Sequence, residues 1–355
     1  KYDENALNKA IEKINSAVQS FESNNHIDKF ESDLLGELSK FNTKYFPNPD
    51  FKYKVNTRQI NEAKYATEKE KAFLPIYNSL VKKYSIKLRQ EKSETFLDKW
   101  YVANVRKEID YVFNVIKKEK NPKIKQILAV ILSRTIRSCR ATTHSDLATL
   151  KEPQTTSYYC YKHKKICKPL FSIKKMLNRY TVDTLYRVRD FDKVRTPSHQ
   201  SIIAGDSRKV NIFEKIKKQN PEFYNLLNKK KIKGIFSSPP YVGQIDYHEQ
   251  HAYAYDLLGY KRNDELEIGP LYNGQGIEAR KSYVQGISDV LNNCKNFLAK
   301  NYDIFLVAND KFNLYPEIAE RSGMKIVNQF KRPVLNRTER DRNPYSEIIF
   351  HMKEK

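Results

Sequence analysis

The sequence predicts an α/β fold, with a largely parallel sheet in the C-terminal part and a large helical domain before it. Three features support this: helical spacing of apolar residues through the first 140 residues, alternating strand and helix patterns from about residue 200, and two apolar segments at the end. Strand–helix alternation is typical of parallel sheets, and two closing strands add an antiparallel hairpin. We therefore expect a helical region at 1–199 and an α/β region at 200–355.

The N-terminal region begins with an amphipathic helix over residues 4–23. Its apolar side chains recur at steps of four and three, at Leu7, Ile11, Ile14, Val18 and Phe21. Similar spacing predicts helices within 66–90 and 92–118. Asn121 and Pro122 then supply an N-cap and a first-turn proline for a helix. Apolar residues occupy almost the whole circumference of this helix, which indicates that it is buried.

Residues 141–170 interrupt this pattern, because they are polar, aromatic and basic without a sustained period. We expect an extended functional loop here, followed by a return to helix at 171–194.

Cysteine and histidine residues cluster in the loop at 139–169. Cys160, His163 and Cys167 have a spacing compatible with three ligands of a zinc ion, and Cys139 or His144 could be the fourth. The alternative is a reduced cluster without a metal. The sequence leaves both readings open, and no metal ligand is assigned from it.

The C-terminal region alternates strands and helices. Segment 201–207 predicts a short strand that ends at Asp206, and "IKGIFSSPPY" at 232–241 predicts the next one. Pro221 interrupts the helix between them. A helix at 282–300, a strand at 302–310 and a short helix stopped by Gly323 follow, and then the two closing strands.

The end of the second predicted strand carries a rigid polar and aromatic tip, Ser238-Pro239-Pro240-Tyr241. In open α/β sheets, ligands bind beyond the carboxyl ends of the strands. The Ser238 hydroxyl and the Pro239 carbonyl can each accept a hydrogen bond, and Tyr241 offers a flat face for stacking. Since the prolines fix the backbone in advance, this tip is suited to hold a planar base that carries an amino group.

This tetrapeptide resembles the catalytic motif of the S-adenosylmethionine-dependent DNA amino methyltransferases, which is (Asp/Asn/Ser)-Pro-Pro-(Tyr/Phe/Trp). The resemblance covers roughly residues 200–352 and implies a Rossmann-like sheet. It implies methylation of an exocyclic amine, and the serine form favours N4 of cytosine. Adenine N6 or an RNA base is the alternative within this chemistry, and a non-catalytic DNA-binding subunit is the alternative outside it.

The resemblance also implies roles for individual residues. Ser238, Pro239, Pro240 and Tyr241 would form the catalytic tip, with Tyr241 stacking on a base flipped out of the duplex. Acceptors placed on the amine's N–H bonds would favour a pyramidal nitrogen as it attacks the methyl group. Asp206 and Ser237 would contact the cofactor.

One half of the family's cofactor site is missing from the pattern. The family carries a Gly-rich turn after its first strand, whereas the Gly-x-Gly spacing here occurs at Gly274 and Gly276, with no apolar strand before it. We therefore expect a split or truncated enzyme, completed by a second subunit or by an upstream segment. The first residue, Lys1, fits a trimmed or partial chain and fits tag removal equally well.

A strongly positive charge indicates a polyanionic partner. The 355 residues include 65 Lys and Arg against 42 Asp and Glu, a net charge of +23. We expect duplex DNA, with phosphate contacts from six basic residues: Arg134, Arg137, Arg140, Lys162, Lys164 and Lys165. A solvated basic face is the simpler alternative.

The remaining composition suggests a cytoplasmic protein, and the resemblance suggests a nucleoid-associated one with a restriction–modification or genome-defence role. No segment approaches the roughly 18 apolar residues of a membrane helix, no secretion signal opens the sequence, and four cysteines in a chain of this length do not form a disulfide framework.

Overall fold

The computed structural model describes residues 3–21, 24–144, 150, 152–334 and 345–355. The chain forms two compact units. A helical unit comprises Lys1–Arg195 and His251–Lys261, and an α/β unit comprises Thr196–Gln250 and Arg262–Lys355. The short segment that belongs to the helical unit despite its position in the second half of the chain has no signal in the sequence.

Fourteen α-helices are present in the described residues. They are α1 Glu4–Gln19, α2 Asn24–Tyr45, α3 Asp50–Asn56, α4 Glu62–Lys83, α5 Phe96–Trp100, α6 Ala103–Lys117, α7 Pro122–Ser138, α8 Lys174–Val194, α9 Ile212–Gln219, α10 Pro221–Lys230, α11 Tyr247–Gln250, α12 Ala252–Leu258, α13 Ile277–Lys295 and α14 Tyr315–Arg321.

The helical unit forms as its apolar spacing predicts. Leu7, Ile14 and Val18 of α1 are fully or almost fully buried in one core with α6 and α7. The N-cap prediction for α7 is confirmed, since the Asn121 side chain accepts from the backbone N–H groups of Lys123 and Ile124.

The prediction of an extended loop at 141–170 is wrong in part. Strands β1 Tyr158–Cys160 and β2 Lys165–Cys167 form a short antiparallel hairpin in this segment. Most of the residues in these two strands are buried. Three-residue strands are too short to show a period of two, so the sequence pattern could not reveal them.

The α/β unit contains a four-stranded sheet within the described residues. Its strands are β3 Ile232–Ser237, β4 Leu298–Ala308, β5 Met324–Val334 and β6 Tyr345–Glu354, in the order β3-β4-β6-β5. The closing antiparallel pair is confirmed, but the expectation of a largely parallel sheet is not, because β3 and β4 are the one parallel pair described.

The core of the α/β unit covers one face of this sheet. Ile304, Leu306 and Ala308 alternate along β4 and pack with Leu291 of α13 and Ile318 of α14. On the opposite face, Phe236 of β3 is 77% exposed. The sheet is thus covered on one side by the helices of its own unit.

The predicted strand at 201–207 is wrong. The segment has no regular structure, and Ile202 is 92% exposed. A β-strand is stable only when a neighbouring strand pairs with its backbone, and no such neighbour is present for 201–207 among the described residues.

Within the described residues, none of the helices combines the length and the hydropathy needed to cross a membrane.

A buried carboxyl group links α6 to the start of α8. Glu108 is inaccessible to solvent and accepts hydrogen bonds from the Asn104 amide, the Ser172 hydroxyl and the Ile173 backbone N–H. Loss of hydration outweighs these three donors and raises the pKa of Glu108 to about 7.

We predict that this carboxyl makes the stability of the helical unit dependent on pH. Because its pKa is higher in the folded state, the folded protein binds more protons between the ordinary Glu pKa and about pH 7, and the free energy of unfolding falls as pH rises through that window. Urea unfolding at pH 5 and pH 8 should show this loss in the wild type and a much smaller one in Glu108→Gln. An equal loss in both proteins would contradict the assignment.

Candidate functional site

The Ser-Pro-Pro-Tyr tip lies at the carboxyl end of β3, as the sequence predicts. Ser238 is exposed, Pro239 and Pro240 are half-buried, and the next residues, Val242 and Gly243, are buried. The tip therefore lies at the surface of its unit and is anchored by the residues that follow it.

Gly243 makes this anchor possible. Its φ is +64°, and an added Cβ would lie 2.3 Å from the carbonyl oxygen of Gly274. Its backbone N–H donates to the carbonyl of Gly269 at 3.0 Å. Only glycine fits this close approach with a left-handed backbone, so the chain turns sharply after the tip.

A buried tyrosine fixes the second proline. The Tyr283 hydroxyl of α13 donates to the carbonyl of Pro240 at 2.8 Å and lies 3.1 Å from the Tyr315 hydroxyl of α14. Burial raises the pKa of Tyr283 to about 12, so it remains a donor at neutral pH. Two helices behind the sheet thus hold the tip's backbone in place.

A carboxylate holds the aromatic end of the tip. The Tyr241 hydroxyl donates to Glu347 of β6 at 2.7 Å, and Arg332 of β5 lies 3.3 Å from the other carboxylate oxygen. Tyr241 is half-buried and packs against the core of the α/β unit. Its ring is therefore fixed at both ends, by the backbone and by its hydroxyl.

The groups that remain at the tip are hydrogen-bond acceptors. Among the described residues, neither the Ser238 hydroxyl nor the Pro239 carbonyl has a hydrogen-bond partner within the chain. Ser237, half-buried and paired in register with Leu306, precedes them on β3. Two acceptors on a fixed backbone beside an aromatic ring can bind a planar molecule that carries an amino group.

Asp206 is not beside this tip. Asn293, near the end of α13, donates to the carbonyls of Ser207 and Val210, whereas Tyr283, ten residues earlier, contacts the tip. Ten residues of helix span about 15 Å. The predicted contact of Asp206 with the cofactor stays a prediction.

The Asp206 carboxylate is already engaged. Both of its oxygens accept from the Arg208 guanidinium, at 2.9 and 3.1 Å, and this pairing holds the pKa of Asp206 below its usual range. The two residues line a cleft of about 660 Å³ beside the end of α13.

The six predicted phosphate contacts have different surroundings. Arg137, Lys162 and Lys165 are exposed. Arg134 pairs with Asp183 and lies over the Tyr180 ring, and Lys164 donates to both carboxylate oxygens of Glu62.

Arg140 is only 3% exposed, so its prediction as a surface phosphate contact does not fit the structure. It lies two residues beyond the end of α7, where the chain has left the helix and the direction of its side chain no longer follows the helical spacing.

The cysteine and histidine cluster is brought together by the β1–β2 hairpin. One potential ligand atom from each of His144, Cys160, His163 and Cys167 lies within 4.8 Å of the other three. Cys139, the other candidate for the fourth position, is instead buried in the core of the helical unit.

Sequence reasoning missed the residues that support the tip. Tyr283 and Glu347 lie 43 and 106 residues away from their partners in the chain. Their contacts depend on strand order and helix placement, and no local pattern marks them.

Comparison with known proteins gives one clear relative. The chain is 49% identical over 358 aligned residues to the type II methyltransferase M.MjaII of Methanocaldococcus jannaschii, and the match covers 99% of this chain and 67% of that protein. No family model matches the chain, and no solved structure does.

We predict that the Tyr283 hydroxyl stabilises the α/β unit. Tyr283→Phe leaves the Pro240 carbonyl without its donor and should lower the free energy of unfolding by about 1–3 kcal/mol in urea denaturation. Tyr302→Phe is the matched control, because the Tyr302 hydroxyl is buried without a hydrogen-bond partner in the described part of the chain. It should be neutral or stabilising, and an equal loss in both variants would contradict the role of Tyr283.

Proposed function

The chain belongs to the type II DNA methyltransferases, and from that premise we propose that it methylates an exocyclic amine of a flipped base in duplex DNA, with cytosine N4 as the target. S-adenosylmethionine is the methyl donor that this family implies. The observation that carries the proposal is the exposed Ser238-Pro239-Pro240-Tyr241 tip, held rigidly at the carboxyl end of a parallel strand.

The tip supplies what this reaction needs from the protein. The amine's lone pair is delocalised into the base, so the nitrogen is a weak nucleophile. Hydrogen bonds from its N–H groups to the Ser238 hydroxyl and the Pro239 carbonyl localise that lone pair and stabilise the positive charge that develops in the transition state. The nitrogen would attack the methyl group directly as the sulfur–carbon bond of the donor breaks, so no covalent enzyme intermediate is needed, and the proton is lost to solvent after transfer.

The cofactor supplies the electrophilic methyl group, and the fit of this chain to it is partial. Ser237, the last residue of β3, and Ser238 just beyond it lie where a donor would have to meet the base. Asp206 lies elsewhere. We therefore propose that these 355 residues hold the base and that a Gly-rich segment outside them holds most of the cofactor.

The open edge of β3 supports this division. A parallel strand is normally flanked on both sides and buried on both faces. In the described residues β3 pairs with β4 alone, and Phe236 is exposed in the middle of it. A strand that carries a Gly-rich turn, from the same polypeptide or from a second subunit, would complete the sheet at this edge. One third of M.MjaII lies outside the match, which leaves room for such a segment.

The DNA backbone is proposed to contact the exposed basic residues of the helical unit. Arg137, Lys162 and Lys165 satisfy this requirement without breaking an internal ion pair. Arg134 and Lys164 already form ion pairs with carboxylates, so each would have to contact a phosphate and its carboxylate partner at the same time. A restriction–modification role in the cytoplasm, at the nucleoid, follows from the proposal.

We predict that Ser238→Ala lowers methyl transfer far more than it lowers DNA binding. Removal of one transition-state acceptor should reduce turnover by about 10- to 1000-fold. The measurement is transfer of labelled methyl to duplex DNA by the completed enzyme, with DNA affinity measured in parallel. Ser198→Ala, an exposed serine in the same unit that bonds only to Thr196, is the matched control. Equal losses in turnover and DNA affinity would favour a non-catalytic binding role.

We also predict that the 355-residue chain alone binds S-adenosylmethionine weakly. Calorimetric titration should show tight binding only after the Gly-rich segment is supplied, in the same polypeptide or as a separate chain. Phe236→Asp should weaken that assembly while changing the stability of the isolated chain by less than about 0.5 kcal/mol, since the ring is exposed.

Phe330→Asp, on β5 at the opposite edge of the sheet, is the control and should assemble normally. Tight cofactor binding by the isolated chain would refute the division of the site.

A further inference from the structure

The β1–β2 hairpin of the helical unit presents four side chains of metal-ligand type. Cys160 ends β1, Cys167 ends β2, and His163 lies in the turn between them. His144 comes from the segment after α7 and reaches the same place, with its Nδ1 3.5 Å from the Cys160 sulfur. The four ligand atoms lie within 4.8 Å of one another.

The spacing of these atoms fits a tetrahedral ion. With metal–sulfur bonds of about 2.3 Å and metal–nitrogen bonds of about 2.0 Å, the ligand atoms of a tetrahedral zinc site lie roughly 3.3–3.8 Å apart. The His144–Cys160 and His163–Cys167 pairs, each at 3.5 Å, already have this separation. Since all four ligand atoms already lie within 4.8 Å of one another, small movements of the side chains would bring the remaining pairs to these separations.

From this geometry we propose that His144, Cys160, His163 and Cys167 bind one structural zinc ion. Two thiolates and two imidazoles in a tetrahedral arrangement form the Cys2His2 donor set that zinc prefers. All four positions are occupied by protein side chains, so the ion has no open coordination site for catalysis. The site's role is to hold the fold.

The ion would add to the packing that already holds the surrounding hairpin against the core, where Tyr159 and Ile166 are buried. The strands of the hairpin are three residues long, and an isolated hairpin is marginally stable even when it is longer. The turn includes Lys164 at a positive φ of 53°, and its backbone N–H donates to the carbonyl of Cys160 at 2.7 Å. A metal that joins both strand ends to the turn and to His144 would fix all of these parts together.

Two details hold the ligands in place. The backbone N–H of His163 points at the Cys160 sulfur at 3.4 Å, an arrangement that favours a thiolate. The Tyr158 hydroxyl lies 2.9 Å from His144 Nδ1, the nitrogen that also faces the Cys160 sulfur, so it holds the ring at the cluster and would give up this contact when Nδ1 binds the ion.

The metal also bears on the basic surface. Lys162 and Lys165 are exposed on either side of His163, so the ion would fix the direction in which these two side chains extend. Two thiolates neutralise the charge of a divalent zinc, and the turn keeps its positive charge. This consequence rests on the proposed DNA contact, but the zinc site itself does not.

The test is metal analysis of the full chain, purified without chelator and reconstituted with zinc chloride. One zinc per chain is expected by mass spectrometry of the metal. Cobalt substitution should give the intense visible bands of a tetrahedral ion and a thiolate-to-cobalt absorption in the near ultraviolet. These spectra need no variant, so they decide the question even where a ligand variant does not fold.

Cys160→Ser, Cys167→Ser and His144→Ala should lose most of the zinc. The controls are Cys294→Ser and His199→Ala, which change the same residue types in the α/β unit, outside the cluster. Both controls should retain one zinc per chain.

A zinc content well below one after reconstitution, an octahedral cobalt spectrum, or ligand variants that retain as much zinc as the controls would each overturn the proposal. A mass lower by two hydrogen atoms, from a disulfide between Cys160 and Cys167 in protein kept under reducing conditions, would overturn it as well. Failure of the proposed methyl transfer would leave the zinc measurement unaffected, so the two proposals can be distinguished.

Discussion

The α/β unit depends on the hydrogen bond between the Tyr283 hydroxyl and the Pro240 carbonyl. The Pro240 carbonyl lies just beyond a strand and has no partner in the sheet. Without the Tyr283 hydroxyl this acceptor would be unpaired, which would destabilise the conformation of the chain after β3. The bond connects the tip to α13, which packs on β4, and Tyr241 connects it to β6 through Glu347. The two acceptors at Ser238 and Pro239 are rigid because their neighbours are fixed.

Local patterns predicted most elements of this chain and one essential feature of its site. The helical spacing of Leu7 and Ile14 and the cap at Asn121 depend on interactions within a few residues, and the strand before Ser238 is marked by its apolar residues and the prolines that end it. The strand predicted at 201–207 failed because β-structure requires a partner that a short sequence does not specify. The same limit hid Glu347, whose contact with Tyr241 exists only through the order of the strands.

The basic residues show the same difference between what local sequence predicts and what the fold decides. The excess of basic residues is a property of composition, and it predicts an anionic partner without knowledge of the fold. Whether a given residue is available is a property of packing. Arg137 and Arg140 are three residues apart, yet Arg137 in the last turn of α7 is exposed and Arg140 beyond the helix is buried. Lys164 and Lys165 are adjacent, yet only Lys164 pairs with Glu62.

The edge of β3 can be compared with edge strands that are protected from pairing with other chains. Exposed edge strands usually carry several charges, a bulge or a covering segment, because open backbone groups invite pairing with other chains. Here Lys233 is the single charge on β3, and a register irregularity interrupts its pairing with β4 between Ile232 and Gly234. Phe236 is exposed on the face of the sheet opposite the core. An apolar ring at this position costs solubility unless another segment covers it. The composition of β3 therefore agrees with the proposed covering segment, while α13 and α14 pack on the other face of the sheet.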